Sequence, residues 1–295
     1  MMFYLTAITL GLALGALCLG IFISLRIFNF PDITADGSYT LGGVITAIGL
    51  VAGWGIVETL ILATVAGMFA GTATGLIHTR MKLNSLLSGI LVMTGLYSIN
   101  LAILGRSNVP VPFDSASVFN FFHPFAERTY NELLTLLIIF ALLVVFLTWL
   151  LKTDFGLSMR ASGNNPNMAR GFGVNANFIK VIGLAIANGF IAISGFLVVQ
   201  LQGFADINMG VGIVILGLGA VIIGESLMNI LGWTKMWVRI GGVVIGSVVF
   251  RLIISLVLSA GVDPIWIKLL TAVVVLVIVG IPGLIPSIGK RIKLE

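Results

Sequence analysis

The chain has 295 residues, of which 59% are hydrophobic and only 9% are charged, and its formal net charge at pH 7 is +5. A soluble domain carries about 25% charged residues, so this chain has too few charges to cover a water-exposed surface. The basic residues fall in short gaps between apolar runs, where they report membrane orientation rather than nucleic-acid binding.

The first half of the chain contains five apolar runs that predict membrane-spanning helices, at about 3–25, 40–53, 56–77, 83–104 and 132–151. The first run lacks a preceding basic region, so we expect a retained anchor rather than a signal peptide. The second is short and Gly-rich and follows the turn-rich residues 30–39, which predicts a broken or re-entrant helix. The loop at about 105–131 combines prolines with phenylalanines, a mixture that suits the membrane interface.

One polar stretch, residues 152–177, interrupts the apolar sequence near its middle. Within it, Asn165 and Pro166 predict a helix start, because Asn accepts a hydrogen bond from a free backbone N–H and Pro has no N–H to leave unpaired. Gly171 and Gly173 predict the end of this helix. A helix of roughly two turns is too short to be stable alone in water, so we predict that a partner docks on it.

Four more spans are predicted after the polar stretch, at about 178–201, 211–231, 236–260 and 265–281. When the polar stretch is placed in the cytoplasm, the loops on that side and the chain end hold most of the 16 Lys and Arg residues. This bias predicts a cytoplasmic C-terminus. The N-terminus is open at this point, because Arg26 favours an outer location whereas a re-entrant second segment would place it inside. All spans together predict a single all-α transmembrane bundle over residues 1–295, with about 8–10 membrane segments.

A short sequence echo suggests an internal repeat. Phe30-Pro-Asp-Ile-Thr and Phe204-Ala-Asp-Ile-Asn each lead into a Gly-rich apolar segment. Transporters are often built from structural repeats, although four similar residues also arise by chance. The echo therefore fits either a true repeat or a chance similarity.

Several polar side chains in or near the spans are candidates for a substrate pathway. A charged residue at a helix centre costs roughly 2.5–3.5 kcal/mol, so Glu225 should face a cavity or a partner. Arg251 lies at a different level of the next span, and a direct pair with Glu225 is therefore not assured. The pathway candidates are Asn100, Asn188, Gln200, Glu225 and Ser226. For each of them the alternative is a structural hydrogen bond or ion pair between helices.

No enzyme motif is visible in the sequence: it has no GxxxxGK[ST], HExxH, CxxC or nucleophile elbow. Cys18 is the one cysteine, so no disulfide and no cysteine-based metal site is predicted. We therefore expect a chain that is not an enzyme and binds no cofactor itself.

The residues from Arg160 to Asn175, Arg-Ala-Ser-Gly-Asn-Asn-Pro-Asn-Met-Ala-Arg-Gly-Phe-Gly-Val-Asn, precede a span containing Ala-Asn-Gly-Phe-Ile-Ala-Ile-Ser-Gly. This combination resembles the cytoplasmic coupling loop of bacterial ABC importer permeases, in the branched-chain amino acid and ribose permease family. The segments Asp36–Tyr39 and Gly217–Glu225 fit the same family. The resemblance is closest to an amino-acid-type subgroup, some members of which are linked to aromatic amino acids.

The resemblance implies a permease subunit in the bacterial cytoplasmic membrane that forms the translocation pathway for a small polar solute. That solute is an amino acid, and the link of some subgroup members to aromatic amino acids makes an aromatic one a candidate. Its implied partners are membrane lipid, two cytoplasmic ABC ATPase subunits that bind ATP and Mg²⁺, an extracytoplasmic substrate-binding protein, and a second permease copy in a homodimer. The implied coupling residues are Arg160, Gly163, Asn164, Asn165, Pro166, Ala169, Arg170 and Gly173.

Two other functions are compatible with the residues. A secondary transporter driven by an ion gradient would need ionisable residues at the middle of the membrane, and Glu225 is the single candidate. A channel or structural membrane subunit is the third possibility.

Overall fold

The computed structural model of the protein describes residues 2–112, 114–120, 127–233 and 235–284. Within these residues it is an α-helical bundle, and seven helices are long and apolar enough to cross a membrane. The fold therefore confirms the prediction of an all-α polytopic bundle. Some predictions lie outside the described residues: the basic chain end at 290–293, and the aromatic character of the 105–131 loop at Phe113, Phe121, Phe122 and Phe125.

The helices follow the predicted apolar runs closely, and polar residues at their ends explain where several of them stop. In chain order they are α1 (Met2–Ile21), α2 (Thr34–Val51), α3 (Ile56–Arg80), α4 (Ser85–Leu104), α5 (Arg128–Lys152), α6 (Asp154–Asn164), α7 (Pro166–Gly171), α8 (Ala176–Gln202), α9 (Ile213–Ile230), α10 (Met236–Ser259) and α11 (Ile267–Leu284). For example, the side chain of Asn84 accepts from the N–H of Leu86 at the start of α4, and Gly105 ends that helix in a left-handed conformation.

The bundle has two ends, which we name by what lies there. Strands β1 (Asn108–Pro110) and β2 (Phe204–Asp206) pair antiparallel and mark the sheet end. Helices α6 and α7, between α5 and α8, mark the opposite α6 end. Helix α1 is antiparallel to α8, because Ser194 donates to the carbonyl of Ala13 (2.8 Å) and Gly20 lies against Ala187. The chain therefore begins at the sheet end.

Helices α1 and α8 form the centre of the bundle, where most of their residues are buried. Small residues let the neighbouring backbones approach α8 closely. A methyl group at Gly42 of α2 would overlap the carbonyl of Ala192, and one at Gly71 of α3 would overlap the carbonyl of Leu184. Because lipid is as apolar as leucine, such close packing is a main source of helix association in membranes.

Helix α2 starts inside the bundle rather than at its end. After α1, a wider π-helical stretch (Phe22–Ile27) reaches the α6 end, and the chain then turns back. The hydroxyl of Thr34, the first residue of α2, lies 2.7 Å from that of Thr74 on α3, well inside that helix. Val44 and Ala47 pack with β1 and β2, so α2 continues to the sheet end. It therefore does not turn back towards the α6 end, as a re-entrant helix would.

The start of α2 also corrects the sequence reading, which placed residues 30–39 in a turn and began the helix at 40. Asp32 accepts a hydrogen bond from the N–H of Thr34 (3.0 Å) in a short turn, and α2 begins at Thr34, directly after that turn. Gly37 is tolerated inside the helix because its lack of a side chain makes room for Leu96 of α4.

Helix α9 repeats this arrangement in the opposite direction. It follows α8 and β2, begins inside the bundle next to Asp36 of α2, and runs to the α6 end, where Glu225 meets Arg26. Asp206 accepts from the N–H of Asn208 (2.7 Å), the same turn that Asp32 makes with Thr34. The sequence echo thus marks matching turns before α2 and α9. We call these two the broken helices because each begins inside the bundle and not at its end. They run in opposite directions, as paired helices do in transporters with inverted repeats.

Candidate functional site

The short helix predicted in the polar stretch is present as α7, Pro166–Gly171. The side chain of Asn165 accepts from the N–H of Met168 (3.0 Å), and Pro166 occupies the first turn. Gly173 follows in the left-handed region with φ = 81°. These are the residues from which the sequence predicts the two ends of the helix. The prediction holds because helix capping depends only on neighbouring residues.

Helix α6, in contrast, is missed by the sequence reading, which treated Asp154–Asn164 as part of a loop. The hydroxyl of Thr153 accepts from the N–H of Gly156 (3.3 Å) and starts the helix. Met159 is fully buried, and Gly163 lies against the backbone of Ile27, the last residue of the π-helical stretch that follows α1. The amide of Asn29 also donates to the carbonyl of Gly163 (3.3 Å). Tertiary packing, rather than local propensity, stabilises this helix.

We call α6 and α7 together the arm. Its inner side is fixed, because Ala169 of α7 is buried and α6 packs against α5 and α8. Its outer side is unusually apolar for a polar segment: the side chain of Met168 is 60% exposed and that of Phe172 is 77% exposed. Arg170 is exposed beside them and donates to the side chain of Asn177 (3.1 Å). A short helix that displays two large apolar side chains is a candidate docking surface.

The predicted coupling residues all lie on or beside the arm. Arg160 and Gly163 are partly buried on α6, whereas Asn164, Asn165, Pro166 and Gly173 are exposed. Helix α6 contacts α7, α8 and the π-helical stretch that follows α1.

The predicted pathway residues do not converge on one cavity. Asn100 of α4 donates to the carbonyl of Gly37 in α2 (3.2 Å) and is buried there. Gln200 accepts from the N–H of Val118 (2.9 Å) and lines a cavity of about 580 Å³ at the sheet end. Glu225 is buried near the α6 end, with the partly buried Ser226 beside it.

Asn188 belongs to a buried polar cluster at the beginning of α2. Its amide nitrogen donates to Asp32 (2.8 Å), and its oxygen accepts from the hydroxyl of Ser38 (2.6 Å). The cluster holds the broken end of α2 against α8. Sequence reasoning found Asn188 but missed Asp32 as its partner, although an acidic residue next to Pro31 before an apolar segment is a usable signal.

The broken end of α9 is held by Asp36. Its two carboxylate oxygens accept from the N–H groups of Gly212 (2.9 Å) and Val214 (3.0 Å). A negative charge at a helix N-terminus also interacts favourably with the helix dipole. Asp36 thereby connects the two broken helices where they begin.

Glu225 joins three elements at the α6 end. Its carboxylate lies 2.6 Å from the Nε of Arg26 and 3.5 Å from the Nη2 of Arg239 on α10. The side chains of both arginines remain about one third exposed. The sequence reading placed Glu225 and Arg251 at different levels; the structure agrees and gives Glu225 other partners.

A second cavity, of about 270 Å³, lies towards the sheet end between α1, α2, α8, α9 and α10. Arg251 of α10, Tyr39 of α2 and Asp206 of β2 line it together with apolar side chains. Of the salt bridges formed within the described residues, none includes Arg251.

An apolar helical bundle with two broken helices held by buried acidic residues is a polytopic membrane protein with the architecture that transporters use around a translocation path. A family model described as the permease component of a branched-chain amino acid transport system matches residues 3–280. The chain belongs to this permease family, and it is therefore a multi-pass membrane subunit of a transport system rather than an enzyme.

Individual relatives match most of the chain, and two of the three described here are named as permeases. A protein named tyrosine transport system permease protein, from Clostridioides difficile strain R20291, is 38% identical over 285 residues, covering 97% of this chain and 93% of the relative. An uncharacterized protein of Rickettsia prowazekii strain Madrid E is 34% identical over 273 residues, covering 92% and 95%. An autoinducer 2 import system permease of Yersinia pseudotuberculosis is 25% identical over 224 residues, covering 74% of this chain and 58% of the relative. No solved structure matches the chain.

Proposed function

We propose that the chain is the membrane-spanning subunit of an ATP-driven importer for an amino acid, with an aromatic amino acid such as tyrosine as the substrate. The family membership supports the role of permease, and the name of the Clostridioides difficile relative supports this substrate class. ATP and Mg²⁺ are bound by separate ATPase subunits, an extracytoplasmic binding protein delivers the substrate, and a second copy of the chain completes the pathway.

The observation that carries the proposal is the arm. Helix α7 is capped by Asn165, and Met168 within it and Phe172 directly after it are exposed beside the basic Arg170. In this proposal the ATPase binds that surface, and α6 passes its movement to α8 and to the π-helical stretch that follows α1. Coupling of this kind needs a packed element with two arrangements, which the Gly-lined contacts of α8 could provide.

The proposed orientation places the α6 end in the cytoplasm and the sheet end outside. In the described residues, the helix ends and connections at the α6 end carry Arg80, Lys82, Lys152, Lys180 and Lys235, as well as the basic residues of the arm. The sheet end carries Arg106, Arg128 and Lys268. The excess of basic residues at the α6 end follows the positive-inside rule.

Two measurements test the proposal. A cysteine at Phe172 should cross-link to the ATPase subunit in the purified complex, whereas a cysteine at Ser107, exposed at the sheet end, should not. Proteoliposomes containing the complex should take up tyrosine when ATP is supplied to the α6 side, with or without an ionophore that collapses ion gradients. Uptake by the chain alone that disappears with the ionophore would instead establish a secondary transporter.

The surface can also be tested by a matched pair of charge substitutions, one directly after α7 and one within it. Phe172→Asp should dissociate the ATPase and abolish uptake, because a carboxylate replaces an apolar contact. Asn167→Asp places the same charge on an exposed position of α7 and should retain most of the uptake. Equal effects of the two substitutions would contradict docking through the apolar side chains.

A further inference from the structure

The cavity of about 270 Å³ next to Arg251 has the chemistry of a site for a small zwitterion. It lies near the sheet end, beside the connection between β2 and α9 and close to the beginning of that broken helix. Its lining combines one cation, one carboxylate and an apolar wall, formed by Leu14, Tyr39, Val198, Asp206, Leu216 and Arg251.

Arg251 brings a positive charge into the wall of this cavity. A guanidinium stays charged at any physiological pH, and a charge within a membrane helix is costly unless it faces a cavity or a partner. The carboxylates of Glu225 and Glu132 pair with other arginines in the described part of the chain. Arg251 therefore faces the cavity with a charge that no salt bridge of these residues neutralises.

The beginning of α9 does not compete for an anion in this cavity. The N–H groups of Gly212 and Val214 already donate to Asp36, so the helix N-terminus is occupied by a side chain of the protein. A ligand carboxylate entering the cavity would thus find its strongest donor in Arg251, which can bind it with two parallel hydrogen bonds.

The remaining lining fits the other parts of an amino acid. Asp206 and the exposed Asn208 lie at the β2 side, where a carboxylate and a side-chain carbonyl can accept from an ammonium group. Leu14, Val198 and Leu216 are buried and apolar, which suits an apolar or aromatic side chain. The volume is below the range of about 300–1,000 Å³ typical of pockets for drug-sized ligands, so it suits a single small molecule.

We propose that this cavity is a binding site for the amino-acid substrate on its way through the permease, with Arg251 binding the α-carboxylate and the Asp206 side receiving the ammonium group. The proposal rests on the proposed function as an amino-acid importer. It assigns a recognition role to the permease itself, in addition to that of a separate binding protein.

Cysteine accessibility in the full-length chain tests the site directly. Cys18 is the one native cysteine and is buried, so background labelling should be low. Ile213→Cys places a partly exposed thiol in the cavity wall, and Ser107→Cys places an exposed thiol at the sheet end, outside the lining of the cavity. Both variants are reconstituted in liposomes and treated with membrane-impermeant methanethiosulfonate reagents.

Tyrosine should slow labelling at Ile213→Cys several-fold and leave Ser107→Cys unaffected. Tyramine, which lacks the carboxylate, should give no protection at the same concentration. Adding Arg251→Met should raise the half-protecting tyrosine concentration about tenfold or more, since hydrogen bonds to charged groups contribute on that scale. The half-protecting tyrosine concentration of Arg251→Lys should lie between those of the protein with Arg251 and the Arg251→Met variant, because Lys keeps the charge but loses the paired hydrogen bonds.

Several results would overturn the site. Equal protection by tyrosine and tyramine, no labelling of Ile213→Cys by any reagent, or unchanged protection in Arg251→Met would each do so. A labelling rate that follows the content of anionic lipid but not tyrosine would assign Arg251 to lipid phosphates instead. A thermal midpoint of the Arg251→Met variant close to that of the unmodified chain shows that the variant is folded.

Uptake by the complete transporter separates this proposal from the function on which it rests. Absence of ATP-dependent amino-acid uptake by the unmodified complex would refute the proposed function. Normal tyrosine uptake combined with any of the overturning results would refute the cavity alone.

Discussion

Asp36 of α2 and Gly212, the residue before α9, connect the two broken helices of the protein. The carboxylate of Asp36 accepts from the N–H of Gly212 (2.9 Å) and also from that of Val214 (3.0 Å). The first N–H groups of a helix have no acceptor within that helix. Where a helix begins inside the bundle, bulk water cannot replace that acceptor, so another part of the protein has to provide it. The Asp36 side chain of α2 thus accepts the hydrogen bonds of the N–H groups at the start of α9, and this contact holds the beginnings of the two helices together.

Replacing Asp36 should destabilise the protein. Asp36→Ala removes the acceptor for two N–H groups, and a buried donor without a partner costs about 1–3 kcal/mol. We expect a lower thermal midpoint of the purified protein in detergent, and a smaller loss in Asp36→Asn, which keeps one acceptor oxygen. Asp114→Ala, in an exposed loop at the sheet end, is the control and should leave the midpoint unchanged. Equal midpoints for Asp36→Ala and the control would show that Asp36 does not hold α9.

The ion pair between Arg26 and Glu225 should contribute more to stability than the exposed pair between Arg128 and Glu132. Glu225 is buried, so Glu225→Ala leaves two guanidinium groups without their carboxylate. Because those groups are partly solvated, we expect a loss of about 1–3 kcal/mol, less than for a fully buried pair. Glu132→Ala breaks a pair whose arginine is 69% exposed, so the loss should stay below about 1 kcal/mol.

A double-mutant cycle isolates the first of these pairs. If Arg26 and Glu225 interact, Arg26→Met combined with Glu225→Met should be less destabilised than the sum of the two single substitutions. Unfolding in denaturant, followed by circular dichroism, provides the free energies. Strict additivity would mean that the pair contributes nothing beyond its separate side chains.

Close helix packing predicts opposite outcomes for two glycines. Gly42→Ala forces a methyl group into the backbone of Ala192, which we expect to cost about 1–3 kcal/mol and to lower the yield of monodisperse protein. Gly95→Ala on α4 meets nothing within 4 Å and should be neutral or slightly stabilising, because Ala favours helices over Gly. Size-exclusion chromatography and thermal unfolding compare the two. A Gly42→Ala variant as stable as Gly95→Ala would contradict the tight contact between α2 and α8.

The contribution of the α7 N-cap to local stability should be measurable at one backbone amide, that of Met168. Asn165→Ala removes the acceptor for the N–H of Met168, and loss of such a cap costs about 1 kcal/mol. We therefore expect hydrogen exchange at Met168 to accelerate about fivefold in Asn165→Ala. Asn164→Ala, at the exposed neighbouring residue, should leave that rate unchanged. If the arm transmits movement from an ATPase, Asn165→Ala should also raise the ATP consumed per substrate transported.

The sequence by itself determined the features that depend on neighbouring residues. Apolar run length predicted the membrane helices, because in lipid each backbone must satisfy its own hydrogen bonds. Asn165, Pro166 and Gly173 predicted α7 and its ends for the same local reason. The repeated Asp-Ile turn, with Asp32 and Asp206, was also visible, although the opposite directions of the two helices after it were not.

Only the tertiary structure decided the rest, since it depends on residues far apart in the chain. Glu225 pairs with Arg26, 199 positions away, and no local pattern selects that partner over Arg251. Helix α6 exists because Met159 and Gly163 pack against other elements, while its own sequence reads as a loop. The cavity at Arg251 likewise forms where five helices meet, so a side chain that looked isolated in one span became part of a site.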